Sequence, residues 1–195
     1  LGASLVDANP ASSGPYDGVR HKIRSWVSQN SSPDPTSPAD EVRNFVLQDR
    51  FLTRLYEEIY YGVSDRLSRV ESGEDFELGS GVGLGKIFLP SLTTSDLVAS
   101  EFIDLQIDAL ALPFGEHTCR NLVLVNSFHH LSNPLQFLRE AERVLVPGGR
   151  VIIFDPYWSP LASFMFTLFH PEPFRPFAPL VPQEGTHPWD SNQAL

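Results

Sequence analysis

Asp75-Phe76-Glu77-Leu78-Gly79-Ser80-Gly81-Val82-Gly83 decides how this chain is read. The first four residues have the character of a short strand, and the glycines at alternate positions make a turn. A short helix through Lys86-Ile87-Phe88-Leu89 follows. Glycine lacks a Cβ, so such a turn lets a ligand come close to the main chain. Spacing then selects among ligands. A dinucleotide fingerprint, G-x-G-x-x-G, uses its third glycine for close helix–strand packing beside a pyrophosphate. Counting from Gly79 puts Leu84 there, and counting from Gly81 puts Lys86 there. A P-loop ending at Gly85-Lys86 would need glycine in place of Ser80 and a hydroxyl in place of Ile87. What remains is E-x-G-x-G-x-G, from Glu77 to Gly83.

Outward from this turn the chain alternates strands and helices. Residues 93–97 and 103–107 read as second and third strands. Leu122-Val123-Leu124-Val125 and Val151-Ile152-Ile153-Phe154 are continuous apolar runs of strand length. Such runs mark strands covered on both faces, as in parallel sheets. Between them Ser132-Asn133-Pro134 starts a helix burying Leu135, Leu138, Ala141, Val144 and Leu145, and Pro147-Gly148-Gly149 stops it. Strand, helix and strand in this order predict an α/β fold with a doubly wound, right-handed sheet. Upstream, Ser37 and Pro38 begin a long amphipathic helix reaching Leu67, with Val42, Phe45, Val46, Leu52, Leu55, Tyr56, Ile59, Tyr60 and Val63 at helical spacing. It is expected to pack on the sheet, with a lid over a substrate pocket as the second reading. Residues 1–36 read as an N-terminal extension, with one short helix over 18–28 and a proline-broken linker over 31–36.

The motifs resemble those of class I, Rossmann-like S-adenosylmethionine (SAM)-dependent methyltransferases, over about residues 76–156. Besides the glycine turn, Asp108-Ala109-Leu110-Ala111-Leu112-Pro113-Phe114 looks like the family's D-A-x-x-L-P-F segment. Asn126-Ser127-Phe128-His129-His130-Leu131 resembles the end of its fourth strand, and the stretch from Phe137 to Arg150 its next helix and turn. The resemblance implies SAM as cofactor. Gly79, Ser80, Gly81 and Gly83 would form its cradle, with Glu77 acting on the ammonium of its methionine part. Asp96 would bond the ribose hydroxyls, with Glu101 as the next candidate, Asp108 and Ala109 would meet the adenine, and Asn126 would end the fourth strand at the cofactor. It also implies a seven-stranded sheet in the order 3-2-1-4-5-7-6. Only five strands are legible here, so the domain, residues 37–195, is expected to lack the last two strands and to leave the fifth with an open edge. Either the 171–188 segment or a second copy of the chain is expected to cover that edge. Two departures stand out: only residues 98–102 remain for the helix between strands two and three, and Cys119-Arg120-Asn121 replaces the usual Phe-Asp before strand four.

SAM brings its own leaving group, so the protein mainly aligns the reactants. His129 and His130 lie beyond strand four; either suits a general base, or one bonds main chain while the other packs. Tyr157, Trp158 and His170 follow strand five, where packing is the favoured reading. The net charge of −10 opposes nucleic-acid substrates. Asn126 is followed by Ser127-Phe128 rather than the Pro-Pro of nucleic-acid amino-methylases, and Thr118 rather than proline precedes the sole cysteine, Cys119. That single cysteine excludes a multi-cysteine metal site and reads as a small core or loop residue; no metal is expected. A small-molecule acceptor results, and the Phe-rich run over 161–169 hints that it is apolar. No apolar run is long enough to span a bilayer, and a cytoplasmic enzyme is expected. The alternatives are a non-catalytic SAM-binding module and, further off, a nicotinamide-dependent oxidoreductase.

Overall fold

The computed structural model describes residues 38–155. The helices read over 18–28 and 161–169, the 36/37 boundary, the cover over strand five and Tyr157, Trp158 and His170 lie outside the described residues.

The long helix is two helices, α1 (Pro38–Gln48) and α2 (Arg50–Arg66). Asp49 between them is extended, and its carboxylate accepts from the main-chain N–H groups of Phe51 and Leu52, both at 2.8 Å. That N-cap satisfies two of the first-turn donors of α2 and resets its register against α1. The apolar stripe is therefore not continuous. Val46, Leu47, Ile59, Tyr60 and Val63 are buried, whereas Val42, Phe45 and Leu55 are exposed.

β1 (Glu74–Leu78), α3 (Leu84–Phe88), β2 (Thr93–Asp96), β3 (Leu105–Gln106), β4 (Cys119–Val125), α4 (Pro134–Val144) and β5 (Leu145–Phe154) follow. The strands form one sheet in the order β3-β2-β1-β4-β5, parallel throughout. This is the expected Rossmann-like arrangement. Successive side chains point to opposite faces, which splits the core into two layers. Val123, Val125 and Ile152 pack beneath α1, α2 and α3, while Phe76, Leu78, Leu122 and Leu124 pack with Phe137, Ala141 and Val144 of α4. Cys119 is fully buried in β4.

Two strands differ from expectation. β3 has two residues rather than five, because Asp104 is used as a side-chain clamp. It accepts from the amide and hydroxyl of Thr94 at 3.0 Å each and pairs with Lys86 of α3. These contacts hold its carboxyl below the usual range and tie β3 to β2 where a crossover helix is nearly absent. β5 begins at Leu145, directly after α4. A register shift against β4, where Cys119 opposes Leu145 and Asn121 opposes Arg150, absorbs Pro147-Gly148-Gly149.

Candidate cofactor site

The carboxyl ends of β1, β2 and β4 open onto a cavity of about 370 Å³, the usual ligand position in open α/β sheets. Gly79, Gly81, Asp96, Asp108, Ala109 and Asn126 line it, together with Ser127, His130 and the apolar Leu78, Leu97, Ile107 and Leu110. A larger, shallower hollow of about 670 Å³ lies at the opposite strand ends, near Gly73, Thr93 and His117. It holds none of the expected residues, and strand polarity favours the smaller cavity.

The glycines have separate tasks. A Cβ on Gly79 would fall 2.5 Å from that of Ser127; on Gly83 it would collide with the Phe102 carbonyl, and on Gly85 with the Glu77 carboxylate. A Cβ on Gly81, whose φ is +52°, would meet nothing within 4 Å. Gly81 alone of the four leaves space that a ligand can fill. Gly85, which no fingerprint pointed to, lets α3 pack closely on β1.

Asp96 faces the cavity. Its Oδ2 accepts from Gly81 N–H at 2.8 Å and its Oδ1 from Val98 N–H at 3.1 Å, so the glycine turn and this acid are fixed to each other. Asp108 accepts from Leu110 N–H at 2.8 Å. Asn126 adopts φ +53° at the end of β4, an uncommon left-handed conformation for a non-glycine residue, and its N–H donates to Phe154 O at 2.7 Å.

Glu77, Ser80 and Gly83 are not on the cavity wall. Glu77 follows Phe76 and precedes Leu78, so strand alternation turns it to the α2–α3 side. There it is 1% exposed, accepting from Tyr60 Oη–H at 2.5 Å and Ser80 Oγ–H at 3.0 Å. Burial pushes its carboxyl up to about 7, and the same desolvation, with Glu77 beside it, pushes the Tyr60 phenol well above its ordinary value. The period-2 pattern of β1 carried the signal for its direction; nothing in the sequence named Tyr60 as its partner. Glu77 is thus held by Tyr60 and Ser80, off the cavity wall.

The two histidines part. His130 lines the cavity. His129 sits behind, its ring 4.0 Å from that of His130, and its main-chain N–H donates to Asp155 Oδ2 at 2.8 Å. Asp155 went unnoticed in the sequence because it only ends an apolar strand.

Residues 78–153 match the family described as a methyltransferase domain. Over this segment the chain is similar to that family. A curated relative, the 2-phytyl-1,4-naphthoquinone methyltransferase of Thermosynechococcus vestitus, is 41% identical over 63 residues, which are 31% of this chain and 28% of that protein. The chain thus spans under a third of its length. Among solved structures, a SAM-dependent methyltransferase from Aquifex aeolicus shares 19% identity at a TM-score of 0.45, covering 63% of this chain and 74% of that one. A proposed SAM-dependent methyltransferase from Methanococcus maripaludis shares 15% at 0.45, covering 82% and 75%.

SAM is the cofactor of such domains, and the donor set fits it. Among the described residues, the cavity is lined by two carboxylates and by no Lys or Arg. That suits a sulfonium and a ribose diol and does not suit a pyrophosphate.

Proposed function

We propose that the chain transfers the methyl group of SAM to a small, apolar aromatic acceptor. The observation that carries this reading is the joint presence of Gly81, Asp96 and Asp108 at one cavity: open space at a left-handed glycine, Asp96 bonded to that glycine's N–H, and Asp108 on the same cavity lining. Gly79, Gly81, Asp96, Asp108, Ala109 and Asn126 would hold the cofactor. When bound, it supplies an electrophilic methyl on sulfur, so the acceptor must donate an electron pair.

The acceptor class we favour is a quinol-type ring. The 41% identical stretch shared with a naphthoquinone methyltransferase supports it, and so does the net charge of −10, which disfavours nucleic acid. Among the described residues no helix is long and apolar enough to cross a membrane. We also propose that the β5 edge is covered, either by the 171–188 segment or by a second copy of the chain; a monomer by light scattering with fast-exchanging amides over residues 151–154 would remove that part.

Calorimetry with SAM, its demethylated product and NAD tests the cofactor. Binding of NAD without SAM would overturn the reading. Mass spectrometry of 1,4-dihydroxynaphthalene incubated with the protein and SAM tests the acceptor class. Binding without transfer to any acceptor would make this a non-catalytic module.

A further inference from the structure

We propose that Glu77 is a positioning residue for the cofactor cradle, held by Tyr60 and holding Ser80, and that cofactor binding draws a proton off it. The proposal rests on the cofactor reading above. The bonds form a line from α2 to the cavity. The Tyr60 hydroxyl donates to Glu77 Oε1 at 2.5 Å, and the Ser80 hydroxyl to Oε2 at 3.0 Å. Ser80 Oγ in turn accepts from Ser95 N–H at 3.1 Å, and Ser80 N–H donates to Ser95 O at 2.9 Å. The residues that follow Ser80 and Ser95 are Gly81 and Asp96, joined at 2.8 Å on the cavity lining. Glu77 thus acts on the cavity through the turn it supports.

The Ser80 hydroxyl has one proton and two acceptors within reach, the Glu77 carboxylate and, at 3.3 Å, the Glu77 carbonyl. An ionised carboxylate is the stronger acceptor and takes it. A protonated one competes less, and the hydroxyl is released to the carbonyl. The proton on Glu77 therefore sets how firmly the turn is tied. Burial pushes this carboxyl up to about 7, and the negative charge of Asp96 acts in the same direction. A cofactor that brings a sulfonium and an ammonium into the cavity lined by Asp96 offsets that charge and favours the ionised form. The coupling is reciprocal: a cofactor that loosens the proton is itself bound more tightly once the proton has left. Among the described residues, the titratable groups facing Glu77 are Tyr60, with Tyr56 beside it, from α2, and Asp96 from β2. Lys86 of α3 pairs instead with Asp104, Arg43 of α1 donates to the Val82 carbonyl, and β4 sets Val123 opposite Glu77.

Carbon spectra of the full chain labelled at its glutamate carboxyls, with Glu77→Gln assigning the signal, follow this proton directly. The expected result is a Glu77 titration that moves to lower pH with SAM bound, and moves less with the demethylated product. By calorimetry SAM affinity should rise about tenfold from about pH 5.5 to about pH 8, a rise lost in Glu77→Gln. Titration of SAM itself is common to both proteins and drops out of that comparison. Tyr60→Phe keeps the ring stacked on Phe88 and removes one donor, so the Glu77 titration should move upward and SAM affinity near neutral pH should fall severalfold. An equal rise in Glu77→Gln, or a Glu77 titration unmoved by SAM, would overturn the proposal. Absence of SAM binding would instead sink the cofactor reading, while a cofactor-free titration unmoved by Tyr60→Phe would overturn the support assigned to Tyr60.

Discussion

The glycines at 79, 81, 83 and 85 differ in what an added methyl group would touch, and the differences are measurable. Gly85→Ala sets a Cβ against the buried Glu77 carboxylate, an overpacking that should cost about 1–3 kcal/mol in urea unfolding. Gly81→Ala meets no neighbour, so its cost should be limited to the left-handed backbone, about 1 kcal/mol. Yet it should weaken SAM at least tenfold, about 1.4 kcal/mol by calorimetry. SAM bound equally well by Gly81→Ala would show that the cofactor lies elsewhere. Asp96→Ala should also lose at least tenfold, by the same arithmetic, and Asp108→Asn less, since the amide keeps an acceptor for adenine. Glu77 makes a separate pH prediction. Its folded-state value is about 7 against an ordinary 4.5, so the folded state holds a proton that the unfolded state releases. Stability should be full below pH 4.5, fall as pH rises toward 7, then level off, by on the order of 3 kcal/mol in all. Glu77→Gln should flatten that slope in denaturation midpoints measured across the range; an unchanged slope would assign the proton to another group.

Between α1, α2 and the glycine turn, the structure places links that a sequence pattern cannot specify. Asp49 sits inside an unbroken apolar period, and only its two bonds to Phe51 and Leu52 reveal it as a cap. Asp49→Ala should lower stability by about 1 kcal/mol in urea; no change would mean that packing alone sets the break. Tyr60 ties α2 to β1 through Glu77, across a separation where no periodicity applies. The strands were legible for a physical reason: β1 and β4 are buried runs, and β5 carries a continuous apolar run, each written in consecutive residues. The placing of Asp96, Asp108 and Asn126 on one cavity was legible too, because strand polarity brings the carboxyl ends of neighbouring strands together. What stayed hidden was set by tertiary partners: the bond of Tyr60 to Glu77, the clamp by Asp104 that shortens β3, the register shift that lengthens β5, and the pairing of His129 with Asp155.

Across the whole molecule, charge bears on which form of the cofactor is held. The chain carries a net −10, and two of its acids, Asp96 and Asp108, line the cavity with no Lys or Arg among the described residues there. SAM carries a sulfonium and an ammonium against one carboxylate, whereas the demethylated product has lost the sulfonium charge. The protein's field therefore attracts the substrate form more than the product form, which favours release after transfer. Two contributions add. Charges spread over the surface act at long range and are screened, since the Debye length falls from about 30 Å at 0.01 M salt to about 3 Å at 1 M. Asp96 and Asp108, lining the cavity itself, act at short range and keep their effect when salt rises. The ratio of SAM to product affinity should accordingly fall severalfold over that salt range without reaching unity, and Asp96→Asn should lower the part that survives at high salt. Calorimetric titrations of both ligands at the two salt concentrations measure it. A ratio independent of salt would show that the net charge plays no part in cofactor discrimination. A ratio of unity at high salt would remove the two aspartates from that role as well.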